Sequence, residues 1–257
     1  MLVMKFASKG VLHNYLQKEF TEIKWFTKLE ILWQISEGLK TIHDADVIHR
    51  DLHSGNILCD WSGWKIGDLG LSQPANNTSN NEIYGAIPYI APEILNGYAF
   101  SKESDIYSMG MIMWELTTGC RPFANVKHDH SLIYKILDGL RPNITECFAS
   151  LMRNCWDSNP QKGPSIKEIY QTFKNWQFCD KDAFNQAEAK RVELIKSKKL
   201  GPEFIEKSHS AIYTSRLLSV YTSKILFNDS FSFISFVDDK KNYISKDLEF
   251  DIEIKRY

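Results

Sequence analysis

Three features that would point to a nucleic acid, a membrane or secretion are missing from the sequence. The formal net charge is −1, from 31 Lys and Arg against 32 Asp and Glu, with no dense basic face, so we expect no nucleic-acid partner. No apolar run approaches the roughly 20 residues of a membrane helix. The apolar start lacks the basic region and the long apolar region of a secretory signal. The sequence therefore predicts a chain that binds neither nucleic acid nor a membrane.

The cysteines show no pairing pattern. There are five of them, an odd number, and they are scattered along the chain without a close pair at the spacing of zinc ligands. This usage favours reduced thiols and a cytoplasmic location. With 43% hydrophobic and 25% charged residues, the composition is that of a globular protein of one or two domains.

Local patterns predict a mainly helical fold with small β-hairpins. Apolar residues at near-helical spacing predict helices over residues 12–16, 27–43, 104–116, 131–140, 146–156 and 164–176. The segment 104–116 is apolar almost all round, which is typical of a helix inside a core. Two short strand patterns, at 57–60 and 64–67, flank a tight turn and predict a hairpin.

The two ends of the chain are predicted to differ from this body. Residues 2–7 are rich in strand formers and stop at a turn signal, which predicts a strand without the upstream partners of a sheet. We therefore expect a domain truncated on its amino-terminal side. Residues 183–199 have a charged helical pattern and the remainder is rich in serine and lysine. We expect residues 179–257 to be a helical segment followed by a partly disordered tail.

One stretch has the residue types of a phosphoryl-transfer site. It reads His-Arg-Asp-Leu-His-Ser-Gly-Asn-Ile-Leu over residues 49–58, and Gly-Asp-Leu-Gly follows at 67–70. Asp51 can accept a proton from a hydroxyl, while Asn56 and Asp68 offer oxygen ligands of the kind that Mg²⁺ prefers. Taken singly, these residues are more often a helix cap, a turn residue and a hairpin end. Their joint spacing favours the site, because the hairpin would bring Asn56 and Asp68 together.

These motifs resemble those of the eukaryotic protein kinases. The resemblance covers roughly residues 1–178 and includes Gly-Ala-Ile-Pro-Tyr-Ile-Ala-Pro-Glu at 85–93. It implies a kinase domain over residues 1–178 that consists of the carboxy-terminal lobe (C-lobe), preceded only by the hinge and the last strand of the amino-terminal lobe (N-lobe). ATP and Mg²⁺ are the implied cofactors, and the implied acceptor is a hydroxyl of a protein substrate.

The resemblance implies a role for each matching residue. Asp51 would be the catalytic base, with Asn56 and Asp68 as the metal ligands. Arg50 would pair with a phosphate on the activation loop. Asp105 would anchor the backbone of the catalytic loop.

The first strand resembles the segment of the kinase fold that meets adenine. This implies that Met4, Lys5 and Ala7 contact the adenine ring and that Leu58 packs below it. Ordinary core packing predicts the same burial for these residues, so the sequence leaves both interpretations open.

Residues 72–84 are polar and lack periodicity, as a mobile surface loop would. Thr78, Ser79 and Tyr84 are candidate regulatory phosphorylation sites, because a phosphate there could pair with Arg50 and order the loop. The competing interpretation is that they are plain polar loop residues.

The sequence departs from the family pattern at three places. The Gly-rich loop, the phosphate-binding lysine and its partner glutamate would all lie before residue 1, so half of the nucleotide site is expected to be missing. His53 and Gly55 stand where Ser/Thr kinases usually have lysine and tyrosine kinases have arginine. Gly163 occupies the place of the arginine that normally pairs with buried Glu93, with Lys162 as a candidate replacement.

Two functions remain open from the sequence. The motif set favours a kinase that transfers the γ-phosphate of ATP to a protein, and the segment at 85–89 leans toward Ser/Thr specificity. The missing lobe and Gly163 favour a catalytically inactive pseudokinase or a protein-binding module instead. Small-molecule phosphotransferases share the catalytic loop but lack the Ala-Pro-Glu segment, so they rank last.

Overall fold

The computed structural model describes residues 7–76, 82–143, 148–179, 181–203, 205 and 207–218. The strand predicted over residues 2–7 lies outside these ranges except for Ala7. The α-helices are α1 (Leu12–Glu19), α2 (Trp25–Asp44), α3 (Pro92–Leu95), α4 (Lys102–Thr118), α5 (His130–Leu137), α6 (Ala149–Cys155), α7 (Ile166–Cys179) and α8 (Lys181–Lys196). The strands are β1 (Gly10–Val11), β2 (Val47–Ile48), β3 (Ile57–Asp60), β4 (Gly63–Ile66), β5 (Gln73–Pro74), β6 (Tyr84–Gly85) and β7 (Arg216–Leu217). The prediction of a mainly helical fold with small sheets is confirmed.

Helix α4 is the centre of the hydrophobic core. Every residue from Ser104 to Thr118 is buried, as the apolar sequence predicts. A reciprocal capping box between Ser101 and Ser104 starts the helix, and Gly119, with a left-handed φ of 77°, ends it. Helix α6 packs on α4, and α7 packs along α2. This arrangement provides a rigid base for the loops between α2 and α3.

The predicted hairpin is formed by β3 and β4. Its antiparallel register places Ile57 opposite Ile66 and Asp60 opposite Gly63, and β1 adds a third strand against β3. Beyond the last pair, the Gly67 amide donates a hydrogen bond to the Asn56 carbonyl over 2.8 Å. The hairpin therefore brings residues 56 and 67 together, as the strand patterns predict.

The chain after α7 shares the same core. Phe184, Ala187 and Leu194 of α8 are buried in the hydrophobic cluster that includes α2 and α4. The buried Arg191 side chain donates to the carbonyl oxygens of Phe20 and Thr21 over 3.3 and 3.1 Å. Helix α8, which the charged pattern predicts, is thus fixed to the turn between α1 and α2. Within the described ranges no helix combines the length and the apolar character that crossing a membrane demands.

Two helical glycines are expected to respond in opposite directions to alanine. A Cβ on Gly110 of α4 would lie 2.6 Å from Trp156 Nε1 and 2.9 Å from Cys155 Cβ, so Gly110→Ala should lower the free energy of unfolding by about 1 to 3 kcal/mol. A Cβ on Gly38 of α2 would make an ordinary 3.4 Å contact with Ile66. Gly38→Ala should therefore raise the free energy of unfolding by about 0.5 to 1 kcal/mol through helix propensity. Urea denaturation measures both, and a change of the same sign in the two variants would contradict the packing.

Candidate active site

The loop between β2 and β3 is held by one buried carboxylate of α4. Asp105 is 1% exposed. Its Oδ1 accepts a hydrogen bond from the Arg50 amide over 3.0 Å, and its Oδ2 accepts from the His49 amide over 2.8 Å and from His43 Nε2 over 2.9 Å. Arg50 has a left-handed φ of 71°, which is costly for a side chain of this size. The anchoring contact that the resemblance implies for Asp105 is therefore present.

His49 connects this loop to the end of the hairpin. The side chain is fully buried, Nε2 donates to the Gly67 carbonyl over 3.0 Å, and Nδ1 accepts from the Asp51 amide over 3.3 Å. A neutral imidazole with its hydrogen on Nε2 makes both bonds at once. The position of Asp51 is thereby tied to the residue that precedes Asp68.

Asp51 is a buried carboxylate surrounded by hydrogen-bond donors. Its Oδ2 accepts from Asn56 Nδ2 over 3.3 Å, and Asn56 Nδ2 also bonds to the Asp51 carbonyl over 2.9 Å. Burial alone raises the pKa of Asp51, but the contact with His53 and the hydrogen bond from Ser215 outweigh it and hold the pKa below its ordinary value. Asp51 is therefore ionised at neutral pH and able to accept a proton.

Asn56 and Asp68 offer oxygen atoms at the same end of the hairpin. The side-chain bonds of Asn56 use its nitrogen, which leaves Oδ1 for a cation. Asp68 is exposed, has a left-handed φ of 56°, and makes a long 3.4 Å bond from the Gly70 amide to Oδ1. An amide oxygen and an accessible carboxylate fit the preference of Mg²⁺ for one or two protein ligands with the rest from phosphate and water.

Arg50 contacts both ends of the segment that carries the candidate phosphorylation sites. Its guanidinium donates to the carbonyl oxygens of Leu71 and Glu82 over 3.5 and 3.3 Å, and it stacks over the Phe100 ring at 4.5 Å. Tyr84 is 37% exposed in β6 and is accessible to a kinase. The other two candidates, Thr78 and Ser79, lie outside the described residues.

Only part of the predicted adenine site can be located. Residues 4 and 5 lie outside the described ranges, and Ala7 precedes β1, where its carbonyl accepts from the Gly10 amide over 3.3 Å. Leu58 is half-buried on β3 and packs against Gly67, where a Cβ would lie 2.5 Å from Leu58 Cδ1. Leu58 therefore lies directly behind the loop that carries Asp68.

Glu93 faces a small cavity where the kinase pattern has an arginine. The cavity is lined by Glu93, Gly163 and Tyr107 among others, and the Tyr107 hydroxyl, though buried, has no hydrogen-bond partner among the described residues. Lys162, the candidate replacement, is exposed, and Glu93 has no ion-pair partner among the described residues. Burial raises the pKa of Glu93, which the more distant Arg141 only partly offsets. The expectation that Lys162 replaces the arginine is wrong.

Ser215 beside Asp51 was missed by the sequence reasoning, and His53, which was noted only as a departure from the family pattern, lies beside both. Ser215 Oγ lies 2.7 and 2.6 Å from the two carboxylate oxygens of Asp51, although the two residues are 164 positions apart. His53 Nε2 lies 3.7 Å from Asp51 Oδ2 and 3.4 Å from Ser215 Oγ. His53 Nδ1 accepts from the Gly55 amide over 3.0 Å, so Nε2 carries the hydrogen that faces Asp51 and Ser215. No sequence pattern around Ser215 predicts this contact.

Gly163→Arg is expected to stabilise the protein by roughly 1 to 3 kcal/mol, because a guanidinium can bond to both Glu93 and the Tyr107 hydroxyl. The backbone of Gly163, with φ −64° and ψ 154°, accepts a side chain, and a Cβ would lie 3.2 Å from the Pro160 carbonyl. Urea denaturation of Gly163→Arg, alone and combined with Glu93→Gln, measures how much of the gain in unfolding free energy depends on the pairing of the arginine with Glu93. Gly163→Ala is the control for the backbone. An equal gain with and without Glu93 would contradict the pairing.

Glu93→Gln alone is expected to raise stability at neutral pH and not in acid. A carboxyl whose pKa is raised on folding contributes its stability below the unfolded pKa of about 4.5 and loses it as the pH rises through the folded pKa. Glutamine has no such loss, so the two proteins should differ at pH 7.5 and converge at pH 4. Unfolding free energies at both pH values test this, with the exposed Glu37→Gln as control. A difference that grows in acid would refute it.

Comparison with known proteins gives a family for this chain. Residues 1–173 match the family model described as protein tyrosine and serine/threonine kinase. A putative serine/threonine-protein kinase/receptor of Acanthamoeba polyphaga mimivirus is 33% identical over 175 residues, which is 65% of this chain and 10% of that protein.

Two relatives from Dictyostelium discoideum are similar to the same extent. The probable serine/threonine-protein kinase roco5 is 32% identical over 189 residues, covering 66% of this chain and 7% of the relative. Stress-activated protein kinase alpha is 34% identical over 190 residues, covering 65% of this chain and 30% of the relative. The chain thus spans less than a third of the length of these relatives. Because the family model matches most of the chain, in the motif order described above, the chain belongs to the protein kinase family.

Proposed function

We propose that this domain transfers the γ-phosphate of ATP to a serine or threonine hydroxyl of a protein. The observation that carries the proposal is Asp51, a buried, ionised carboxylate that already accepts a hydrogen bond from a serine hydroxyl. The lowered pKa of Asp51 keeps it in the proton-accepting form. The named Ser/Thr kinases among the relatives support the choice of acceptor.

We assign the described helices to the C-lobe of the kinase fold. The buried α4, the hairpin β3–β4 and the Asp105 anchor agree with the C-lobe resemblance. In this assignment the hinge and the adenine contacts belong to residues 4–7, and the kinase domain extends to about residue 178. The boundary and the lobe assignment are part of the proposal.

The chain's own residues prepare the acceptor for attack. Asp51 would accept the proton of the acceptor hydroxyl, and His53 Nε2 points at the same place. Asn56 Oδ1 and Asp68 would hold Mg²⁺, which when bound with ATP neutralises charge on the transferred phosphoryl group. Gly85 leaves room for the acceptor, because a Cβ there would lie 3.5 Å from Asp51 Oδ1. In this proposal the site would position a hydroxyl at the base and a cation at the hairpin end.

Regulation by phosphorylation is a further part of the proposal. Arg50 spans the segment between Leu71 and Glu82, so a phosphate on Thr78, Ser79 or Tyr84 would introduce a charged partner for its guanidinium. Burial lowers the pKa of Arg50, and a phosphate at this position would counteract that effect.

A non-catalytic binding module is the second candidate. The observation that favours it is that Glu93, beside Gly163, has no ion-pair partner among the described residues, since a half-buried carboxylate without a paired cation lowers stability without an evident benefit for activity. The residues that line this cavity make none of the catalytic-loop hydrogen bonds described above.

Asp51→Asn is expected to lower phosphate transfer from ATP to a serine-containing protein by about 10²- to 10⁴-fold, since the amide cannot accept the proton. Asp68→Asn should weaken the Mg²⁺-dependent binding of a fluorescent ATP analogue, while Asp51→Asn should leave it nearly unchanged. The measurements are incorporation of labelled phosphate and fluorescence titration with and without Mg²⁺.

The matched control is Asp138→Asn, an exposed acid after α5, which should transfer phosphate at the wild-type rate. Incorporation that persists in Asp51→Asn would overturn the assignment of the base. Absence of both transfer and nucleotide binding in the wild-type chain would favour the binding module.

A further inference from the structure

The chain returns to the catalytic loop through residues 207–218, which we term the return segment. The Ser208 amide donates to the Ala124 carbonyl over 2.8 Å, and the Ser210 carbonyl accepts from the His128 amide over 3.2 Å. The segment ends as β7, which pairs antiparallel with β6 so that Arg216 lies opposite Gly85. The Leu218 amide then donates to the Ile83 carbonyl over 2.8 Å. The return segment thus adds a strand to the residues that follow the candidate phosphorylation loop.

Several side chains fix the middle of the return segment. His128 is 2% exposed, its Nε2 lies 3.0 Å from the Phe123 carbonyl oxygen, and its Nδ1 lies 2.8 Å from the Ile212 carbonyl oxygen and 3.1 Å from the Ile212 amide nitrogen. Burial lowers the pKa of His128, in keeping with a neutral ring. The Tyr213 hydroxyl donates to the Pro122 carbonyl over 2.9 Å, and its ring stacks edge-on against His128 at 4.7 Å.

The two neighbours of Ser215 differ in their contacts. The Arg216 guanidinium donates to the His128 carbonyl over 2.8 Å. Thr214, by contrast, is exposed, although it also has a hydroxyl and lies next to Ser215. The strand therefore selects one of two neighbouring hydroxyls and places it on Asp51.

The geometry around Ser215 is that of an acceptor and its base. Ser215 Oγ has one hydrogen and lies within 2.7 Å of both Asp51 carboxylate oxygens, while His53 Nε2 faces the same oxygen at 3.4 Å. The flanking backbone is extended and strand-paired, which is how peptides add to an exposed edge. If the return segment had only a structural role, the contacts of His128 and Tyr213 would be enough to hold it, and no hydroxyl would be needed at Asp51.

We propose that the return segment occupies the acceptor groove, that Ser215 is an intramolecular phosphate acceptor, and that the segment excludes other substrates until Ser215 is phosphorylated. This inference rests on the proposed kinase function. It adds a modification site and an internal competitor to that function.

The chemical step balances with ATP as the co-substrate. Asp51 takes the hydroxyl proton as Ser215 Oγ forms a bond to the γ-phosphorus, and the bond from that phosphorus to the β–γ bridging oxygen breaks with its electron pair on ADP. The product carries a charge of about −1.5 to −2 on Ser215 and has lost the donor hydrogen. Since Asp51 is itself an anion, the phosphate is repelled, and the segment should leave the groove.

Hydrogen exchange of the whole chain tests the occupancy without any need for catalysis. In the wild type the Leu218 amide should be protected. Ser215→Glu, which places a charge against Asp51, should speed its exchange by about 10-fold or more, the loss expected when a hydrogen bond to a charged group is replaced by repulsion. Thr214→Glu adds the same charge one residue earlier and should change the rate by less than about twofold. Equal effects of the two variants, or an unprotected amide in the wild type, would overturn the occupancy.

Phosphosite mapping after incubation with ATP and Mg²⁺ tests the acceptor. Phosphate should appear on Ser215 and not on Thr214, at a first-order rate that does not change with protein concentration, and not at all in Asp51→Asn. An external serine peptide should be phosphorylated faster by Ser215→Glu than by Thr214→Glu. If the external peptide is phosphorylated equally by both variants and Ser215 remains unmodified, the inference is wrong while the proposed function stands. If no variant phosphorylates either acceptor, the proposed function fails and the inference fails with it.

Discussion

The buried carboxylate of Asp105 is the interaction on which the arrangement of the site depends. A carboxylate that is 1% exposed is tolerable only when its oxygen atoms are bonded, and three donors from two parts of the chain meet it. Two of these donors are the successive amides of His49 and Arg50. Because Arg50 has a left-handed φ of 71°, its backbone needs such contacts to persist. The buried helix α4 therefore fixes the backbone that precedes Asp51 and, with it, the position of the Asp51 side chain.

Further hydrogen bonds connect the loop that Asp105 anchors to the other residues of the site. His49 joins the loop to Gly67, and Asn56 joins the loop's carbonyl and carboxylate at Asp51. The first link ends at Gly67, one residue before Asp68, and the second ends on Asp51 itself. The exposed Asp68 is consequently placed by the hairpin and by His49, and its own side chain remains free to bind a cation.

Local patterns in the sequence were sufficient for the elements that this network uses. The apolar run of α4 and the hairpin follow from periods of a few residues, and they could be predicted. The positions of Asp51 and Asn56 were predicted from the resemblance of their motif to that of the protein kinases. The return segment could not, because its two-residue strand has no alternation and its partners lie 82 to 190 residues away. No spacing reveals that Lys162 is exposed and forms no ion pair with Glu93 within the part of the chain that the structure describes.

The contact between Ser215 and Asp51 can be understood from the needs of the base itself. A buried carboxylate with a lowered pKa requires donors, and an acceptor hydroxyl would supply the same bond that Ser215 supplies. Replacing the Ser215 hydroxyl by the hydroxyl of a substrate serine therefore changes the free energy of the hydrogen bond to Asp51 very little. What an external peptide must replace is the strand pairing with β6 and the attachment at His128 and Tyr213. Those contacts belong to the same chain and hold Ser215 at a high effective concentration near Asp51. The internal segment therefore binds in preference to an external peptide until phosphorylation of Ser215 introduces negative charge and weakens its binding.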